Sequence, residues 1–188
     1  MSGFHPKRCN MKIQSTSLNG LFLVQNSVQQ DIRGFFHKPY SFLEFDSKGL
    51  NTDFKEIYYS VNRKNVIRGM HFQSPPFELS KLVFVTSGSI LDVVLDIRKN
   101  STTFGKVFSI ILNTQQGLSL YIPTGFAHGF LSLEDTTIVN YAQTAVYSRE
   151  NDIGIRYNSF GFPWGISNPI ISKRDSSFPL FEEYDGIF

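Results

Sequence analysis

The chain of 188 residues has a single cysteine, Cys9, so it can form no internal disulfide, and a reducing compartment, the cytoplasm, is expected. It has no apolar run of the length a membrane span needs and no signal-peptide pattern, so no membrane partner is expected. It also lacks an excess of either charge: 18 Lys and Arg stand against 16 Asp and Glu, interspersed, for a formal net charge of +2. A nucleic-acid partner would call for a concentrated basic stripe, and this composition offers none. Internal repeats, low-complexity blocks and linker-like stretches are missing too, which leaves one domain as the expected organisation. Aromatic residues are plentiful at 15%, with 19 phenylalanines, as suits a β core and ring-lined pockets.

Residues 1–10 are polar, with His5, Pro6, Lys7 and Arg8 together, and read as a flexible extension ahead of a domain spanning 11–188. From Met11 onward, short strand signals recur. They fall at Leu21–Val24, at Gly34–His37 after a turn-like Gln30-Asp31-Ile32-Arg33, and then from Phe54 to Gln143 at regular short spacing. Turn residues separate them at Ser87-Gly88, Asn113–Gly117, Pro123-Thr124-Gly125 and Glu134-Asp135. Tyr40–Phe45 lacks alternation and leads to Gly49, which predicts one or two helical turns. After Tyr147 the composition turns to Gly, Asn, Ser and Pro around Trp164, an irregular region packed over the rest. Many short strands and little helix predict an all-β sandwich, and a double-sheet jelly roll solves the edge problem for this number of strands.

The stretch from Val66 to Val85 concentrates the chemistry. Two apolar runs flank Ser74-Pro75-Pro76, so the sequence predicts a hairpin, and each run carries a cation that a plain core strand would not. Arg68, His71 and Lys81 supply a fixed positive charge, a group that exchanges a proton near neutral pH, and an ammonium on a flexible stem. Strict alternation puts Arg68 and His71 on opposite faces, unless a bulge at Gly69 turns both into one cavity. The other reading of the segment is a solvent-facing Arg68 beside a buried, hydrogen-bonded His71. His128 lies between Ala127 and Gly129 in Pro123–Phe130, a place that suits a structural as well as a catalytic histidine. Tyr141 shares a strand face with Val139 and Gln143 and, read alone, is a core or rim tyrosine. Asp175 follows Lys173 and Arg174 and, read alone, pairs with neighbouring cations. Metal ligation would want two histidines close together with a carboxylate following; His71 is followed by Phe72 and Gln73, so no metal is expected.

Several segments, in order, resemble the dTDP-4-dehydrorhamnose 3,5-epimerase family: Asp31–Phe36, Arg68–Gln73, Lys81-Leu82-Val83, Asp92–Arg98, Pro123–Phe130 and Ser172–Asp175. The resemblance implies a cupin-like jelly roll acting on a nucleotide-diphosphate sugar, a 4-keto-6-deoxyhexose, with no cofactor, in an enzyme that is a homodimer with N-terminal strands crossing to the partner. It implies His71 as catalytic base, Asp175 as its paired carboxylate and Tyr141 as the proton donor on the other side of the sugar. Lys81 and His128 match pocket residues near the sugar ketone, and Arg33 and Arg68 match arginines that hold the diphosphate. Gln73 and Lys173 fall within matching motifs and join the expected substrate contacts.

The chain departs from the family pattern at Lys38, where a glutamate is usual, and at Glu56 and Tyr58, where Gln and Asn are usual; Asp152 stands for a commoner glutamate. These four are expected substrate contacts. Because cytosine and thymine differ in hydrogen-bond polarity, the exchange at Lys38 and Glu56 would suit cytosine, unless those two residues simply pair with each other. A CDP-linked sugar epimerised at one centre is thus an alternative, as are a ketoisomerase and a nucleotide-sugar-binding barrel without catalysis.

Overall fold

The computed structural model describes residues 11–26 and 28–188; the predicted N-terminal extension lies outside the described residues. Alternating side chains build two facing sheets. One has six strands in the order β1 (Lys12–Ser15), β2 (Phe22–Gln25), β10 (Leu118–Ile122), β7 (Lys81–Ser87), β12 (Thr137–Gln143), β5 (Glu56–Asn62). The other has five, ordered β13 (Asp152–Gly154), β6 (Ile67–Gln73), β11 (Phe126–Ser132), β8 (Ser89–Asp96), β9 (Val107–Asn113). Every pairing between neighbouring strands is antiparallel. The architecture is the expected all-β double-sheet jelly roll. Among the described residues no helix is long and apolar enough to cross a membrane.

Period-two patterning sorts each strand between three apolar layers. Val83, Val85, Leu120, Ile122, Val94, Phe130 and Val139 meet between the sheets. On the outer face of the six-stranded sheet, Leu82, Tyr121 and Ala142 pack with Phe45, the buried residue of α1 (Phe42–Asp46). Behind the five-stranded sheet, Val93, Leu95 and Ala127 are covered by the C-terminal region through Trp164, Ile155 and part-buried aromatics. Each fully buried side chain of this size contributes about 1.5–3 kcal/mol.

Two expectations are corrected. Residues Gln30 and Asp31 belong to a strand, β3 (Gln29–Asp31), which pairs with β4 (Gly34–Phe36). The turn is tighter than predicted because the Asp31 carboxylate accepts the Arg33 N–H at 2.8 Å and Gly34 adopts φ +121°. More consequential for the site, the Pro75-Pro76 segment does not close a hairpin. β6 pairs with β11 and β13, whereas β7 pairs with β10 and β12 in the other sheet. Two prolines lack the N–H groups a ladder needs, and the residues from Ser74 to Ser80 are enough chain to cross the roughly 10 Å between packed sheets. Arg68 and His71 therefore stand on one wall of the sandwich and Lys81 on the other.

Candidate active site

A cavity of about 480 Å³ opens between the sheets, lined among others by Glu56, Tyr58, Arg68, His71, Lys81, His128, Tyr141 and Asp152. His71 and His128 are directly paired across β6 and β11, so both rings rise from the five-stranded sheet. Tyr141 and Lys81 come from β12 and β7 of the six-stranded sheet. His71 and Tyr141 thus enter one cavity from opposite walls.

Arg68 and His71 reach the same cavity through a bulge. Three residue steps on β6 from Arg68 to His71 answer two on β11 from Phe130 to His128. Gly69 sits in the bulge at φ +130°, and a Cβ there would lie 2.5 Å from the Gly129 Cα, so only glycine fits.

The bulge is tied to the C-terminal region by one carboxylate. Asp175 lies in the short helix α2 (Lys173–Ser176), whose N-cap Ser172 Oγ accepts the Asp175 N–H at 3.0 Å. Its Oδ2 accepts the Gly69 N–H at 3.0 Å, and its Oδ1 lies 3.0 Å from His71 Nε2, to one side of the ideal direction for a ring N–H donor. Burial opposes ionisation of Asp175. The close approach and charge of His71, with the Gly69 and Ser172 contacts, nevertheless hold it below the usual carboxylate range. Phe178 packs edge-on against the imidazole at 5.6 Å.

On the facing wall, burial lowers the Lys81 ammonium to about 8, against the opposing pull of the Asp152 and Asp92 charges. Burial raises the Tyr141 phenol well above its ordinary value, against a smaller pull from Ser60, so it is protonated at neutral pH. His128 Nε2 lies 2.9 Å from the fully buried Asp92 Oδ2. Burial pushes this histidine down, partly offset by that carboxylate.

The other expected contacts divide. Arg68 donates from Nε to Asn62 Oδ1 at 2.7 Å and keeps its guanidinium at the cavity wall. Gln73 spends its amide on backbone groups, donating to Phe77 and Val146 carbonyls at 2.7 and 3.2 Å and accepting the Ser148 N–H at 2.8 Å, so it shapes the wall. Glu56 accepts from Gln143 Nε2 at 2.7 Å, and among the described residues it makes no ion pair with Lys38. Asp152 pairs with Arg174 at 2.7 Å.

Three expected contacts lie outside the cavity of their own chain. Arg33 stands at the tip of the β3–β4 hairpin with its side chain 86% exposed, paired to Asp31. Lys38 is exposed on the segment that follows. Lys173 faces away because it occupies the first position of α2, and Arg174, one residue on, lines the cavity instead. Sequence reasoning also passed over Asp92, Ser60, Gln143 and Tyr147. An aspartate inside the apolar run Ile90–Leu95 signalled the first, and alternation along β5 and β12 the next two; Tyr147 had no signal of its own.

A carboxylate-backed imidazole facing a protonated phenol across a cavity with a buried ammonium is a set suited to moving a proton at carbon beside a carbonyl. Comparison with known proteins agrees. A family model described as dTDP-4-dehydrorhamnose 3,5-epimerase matches residues 15–183. The dTDP-4-dehydrorhamnose 3,5-epimerase of Methanothermobacter thermautotrophicus is 37% identical over 173 residues, 89% of this chain and 93% of that one. The crystal structure of the Bacillus anthracis dTDP-4-dehydrorhamnose 3,5-epimerase with TDP and PPi bound superposes with a TM-score of 0.87 at 35% identity, covering 91% of this chain and 99% of that one. The dTDP-6-deoxy-D-glucose-3,5-epimerase of Legionella pneumophila, in complex with dTDP-4-keto-L-rhamnose, superposes with a TM-score of 0.88 at 30% identity over 94% and 95% of the two chains. By sequence and by fold, over nearly its whole described length, the chain belongs to the dTDP-4-dehydrorhamnose 3,5-epimerase family.

Proposed function

We propose that the protein is an epimerase that inverts C3, C5 or both in a dTDP-linked 4-keto-6-deoxyhexose, as a step in deoxysugar biosynthesis. The observation that carries this reading is the entry of His71 and Tyr141 into one cavity from opposite sheets. A hydrogen on carbon next to the C4 ketone is acidic only if the charge arriving on the ketone oxygen is stabilised. His71 Nδ1, the ring nitrogen not facing Asp175, takes that proton. The C–H electron pair moves into the C–C bond and the carbonyl pair onto oxygen, where the Lys81 ammonium stabilises the enolate. Asp175 stabilises the imidazolium that results. Tyr141 then gives its hydroxyl proton to the same carbon from the opposite face; the enolate collapses to the ketone, and the centre is inverted. Proton return through solvent from His71 to Tyr141 resets the site. The side chains supply base, acid and cation themselves.

Arg68 at the cavity wall is a diphosphate contact available within one chain. Arg33 and Lys38 suit a second copy. The β3–β4 hairpin pairs only with itself among the described strands and exposes Ile32, Phe35 and Phe36, while edge strand β5 exposes Ile57, Tyr59 and Val61 on its outer face. A homodimer that covers these surfaces and brings Arg33 and Lys38 to the neighbour's cavity accounts for both; light scattering that returns a monomer mass would overturn it.

Incubation with dTDP- and CDP-linked 4-keto-6-deoxyglucose in deuterated water, followed by NMR, tests the function. Deuterium is expected at C3, C5 or both with the dTDP sugar, accompanied by inversion. Preference for the CDP sugar shifts the substrate to a cytidine nucleotide, and exchange with neither leaves a binding barrel and overturns the proposal.

A further inference from the structure

Tyr58 lines the cavity beside Tyr141, and its surroundings give it work. It stands on edge strand β5 directly opposite Tyr141 on β12. The two rings are stacked, with centroids 4.9 Å apart and planes 19° apart. On another side the edge of His128 meets Tyr141 at 6.4 Å and 71°. The ring of Tyr141 is therefore gripped between a face and an edge, which limits its two side-chain torsions and fixes where its hydroxyl points.

A tyrosine on an edge strand, itself 44% exposed, would not hold a neighbour unless something held it. Its hydroxyl donates to Gln143 Oε1 at 3.0 Å, and Gln143 Nε2 donates to Glu56 Oε2 at 2.7 Å. Gln143 is buried, and Glu56 and Tyr58 alternate on the same inward face of β5. The Tyr58 phenol, raised to about 12 by burial and by the Asp152 and Glu56 charges, is protonated at neutral pH and so available as a donor. Glu56 and Tyr58 thus act as one unit: the carboxylate fixes the amide, the amide fixes the phenol, and the phenol's face fixes Tyr141.

We propose that Tyr58, anchored through Gln143 and Glu56, is a positioning residue that holds Tyr141 in the orientation from which it reprotonates the sugar. The inference rests on the epimerase reading. It makes a demand that a merely structural role would not. Removing a proton is the work of His71 on the other wall, so loosening Tyr141 leaves abstraction intact. The enolate then regains its proton from the His71 side more often, which gives exchange with retention instead of inversion.

The experiment follows dTDP-4-keto-6-deoxyglucose in deuterated water by NMR, comparing initial rates of deuterium entry into substrate of unchanged configuration and into the epimer, for wild type, Tyr58→Phe and Tyr58→Ala. For Tyr58→Ala the ratio of exchange to inversion is expected to rise about three- to tenfold, the worth of one aromatic pair, with kcat for inversion lowered and KM within about twofold. Tyr58→Phe keeps the stacking face and loses the anchor, so its ratio is expected to rise less than threefold. Tyr58→Leu carries the alanine variant's expectation should that variant fail to fold. An unchanged ratio, exchange and inversion falling together, or a change confined to KM overturns the inference while the epimerase reading stands. A wild-type protein that exchanges no deuterium overturns both.

Discussion

Replacing Asp175 by asparagine isolates the charge behind the catalytic imidazole. The carboxylate lies 3.0 Å from His71 Nε2 and also accepts the Gly69 N–H that secures the bulge. Asparagine keeps an amide oxygen for the Gly69 contact, so the backbone that delivers His71 is retained. What is lost is the attraction between a carboxylate and the imidazolium formed on proton abstraction. Two unit charges about 4 Å apart interact by about 4 kcal/mol at an effective dielectric near 20. The His71 side chain is 30% exposed, and screening reduces this. About 3 kcal/mol remains, or a loss of roughly 10²-fold in kcat. Deuterium exchange and inversion should fall in parallel, because both follow from abstraction by the same base, and the thermal midpoint should move by only a few degrees. The assay is the initial rate of exchange and of epimer formation by NMR, with calorimetry on the same sample. A folded Asp175→Asn protein that loses less than about fivefold would show that the carboxylate does not support the base, and the reasoning would fail.

Lys81→Met should lower kcat by about 10²–10³-fold, as for removal of a donor to a developing oxyanion, with little change in fold. The pH dependence carries the sign: the ammonium is depressed to about 8 in the free protein, the charged form is the active one, and wild-type kcat/KM should fall as pH rises through that value. A wild-type profile flat from pH 7 to about 9.5, the window that one titration near 8 must cross, would refute the assignment. Gly69→Ala should destabilise the protein by at least about 3 kcal/mol in a denaturant titration, since a Cβ would fall 2.5 Å from the Gly129 Cα in a backbone at φ +130°. A variant of wild-type stability would mean that the bulge is not fixed as described.

Much of this was legible in the residues. Alternation and turn chemistry located the strands, and Gly69 marked the bulge that turns Arg68 and His71 into one cavity. The partner sheet of β7 was not legible, since a strand–turn–strand pattern looks the same whether its second strand folds back or crosses a sandwich; only the proline pair hinted at crossing. Asp175 is 106 positions from Gly69, whose N–H it accepts, and no local pattern announces a contact of that separation. Lys173 and Arg174 are adjacent cations, and which one faces the cavity is decided by where a one-turn helix begins. The Glu56, Gln143 and Tyr58 chain was hidden because each residue taken alone is an ordinary occupant of a half-buried strand, and only the register of β5 against β12 makes them neighbours.

The division of labour between the two walls is tested most directly by comparing His71→Asn with Tyr141→Phe under single-turnover conditions in deuterated water. The account predicts that the His71 variant incorporates no deuterium at C3 or C5, whereas the Tyr141 variant incorporates it with retained configuration and forms little epimer. Exchange that persists without His71, or inversion that persists without the Tyr141 hydroxyl, would contradict it.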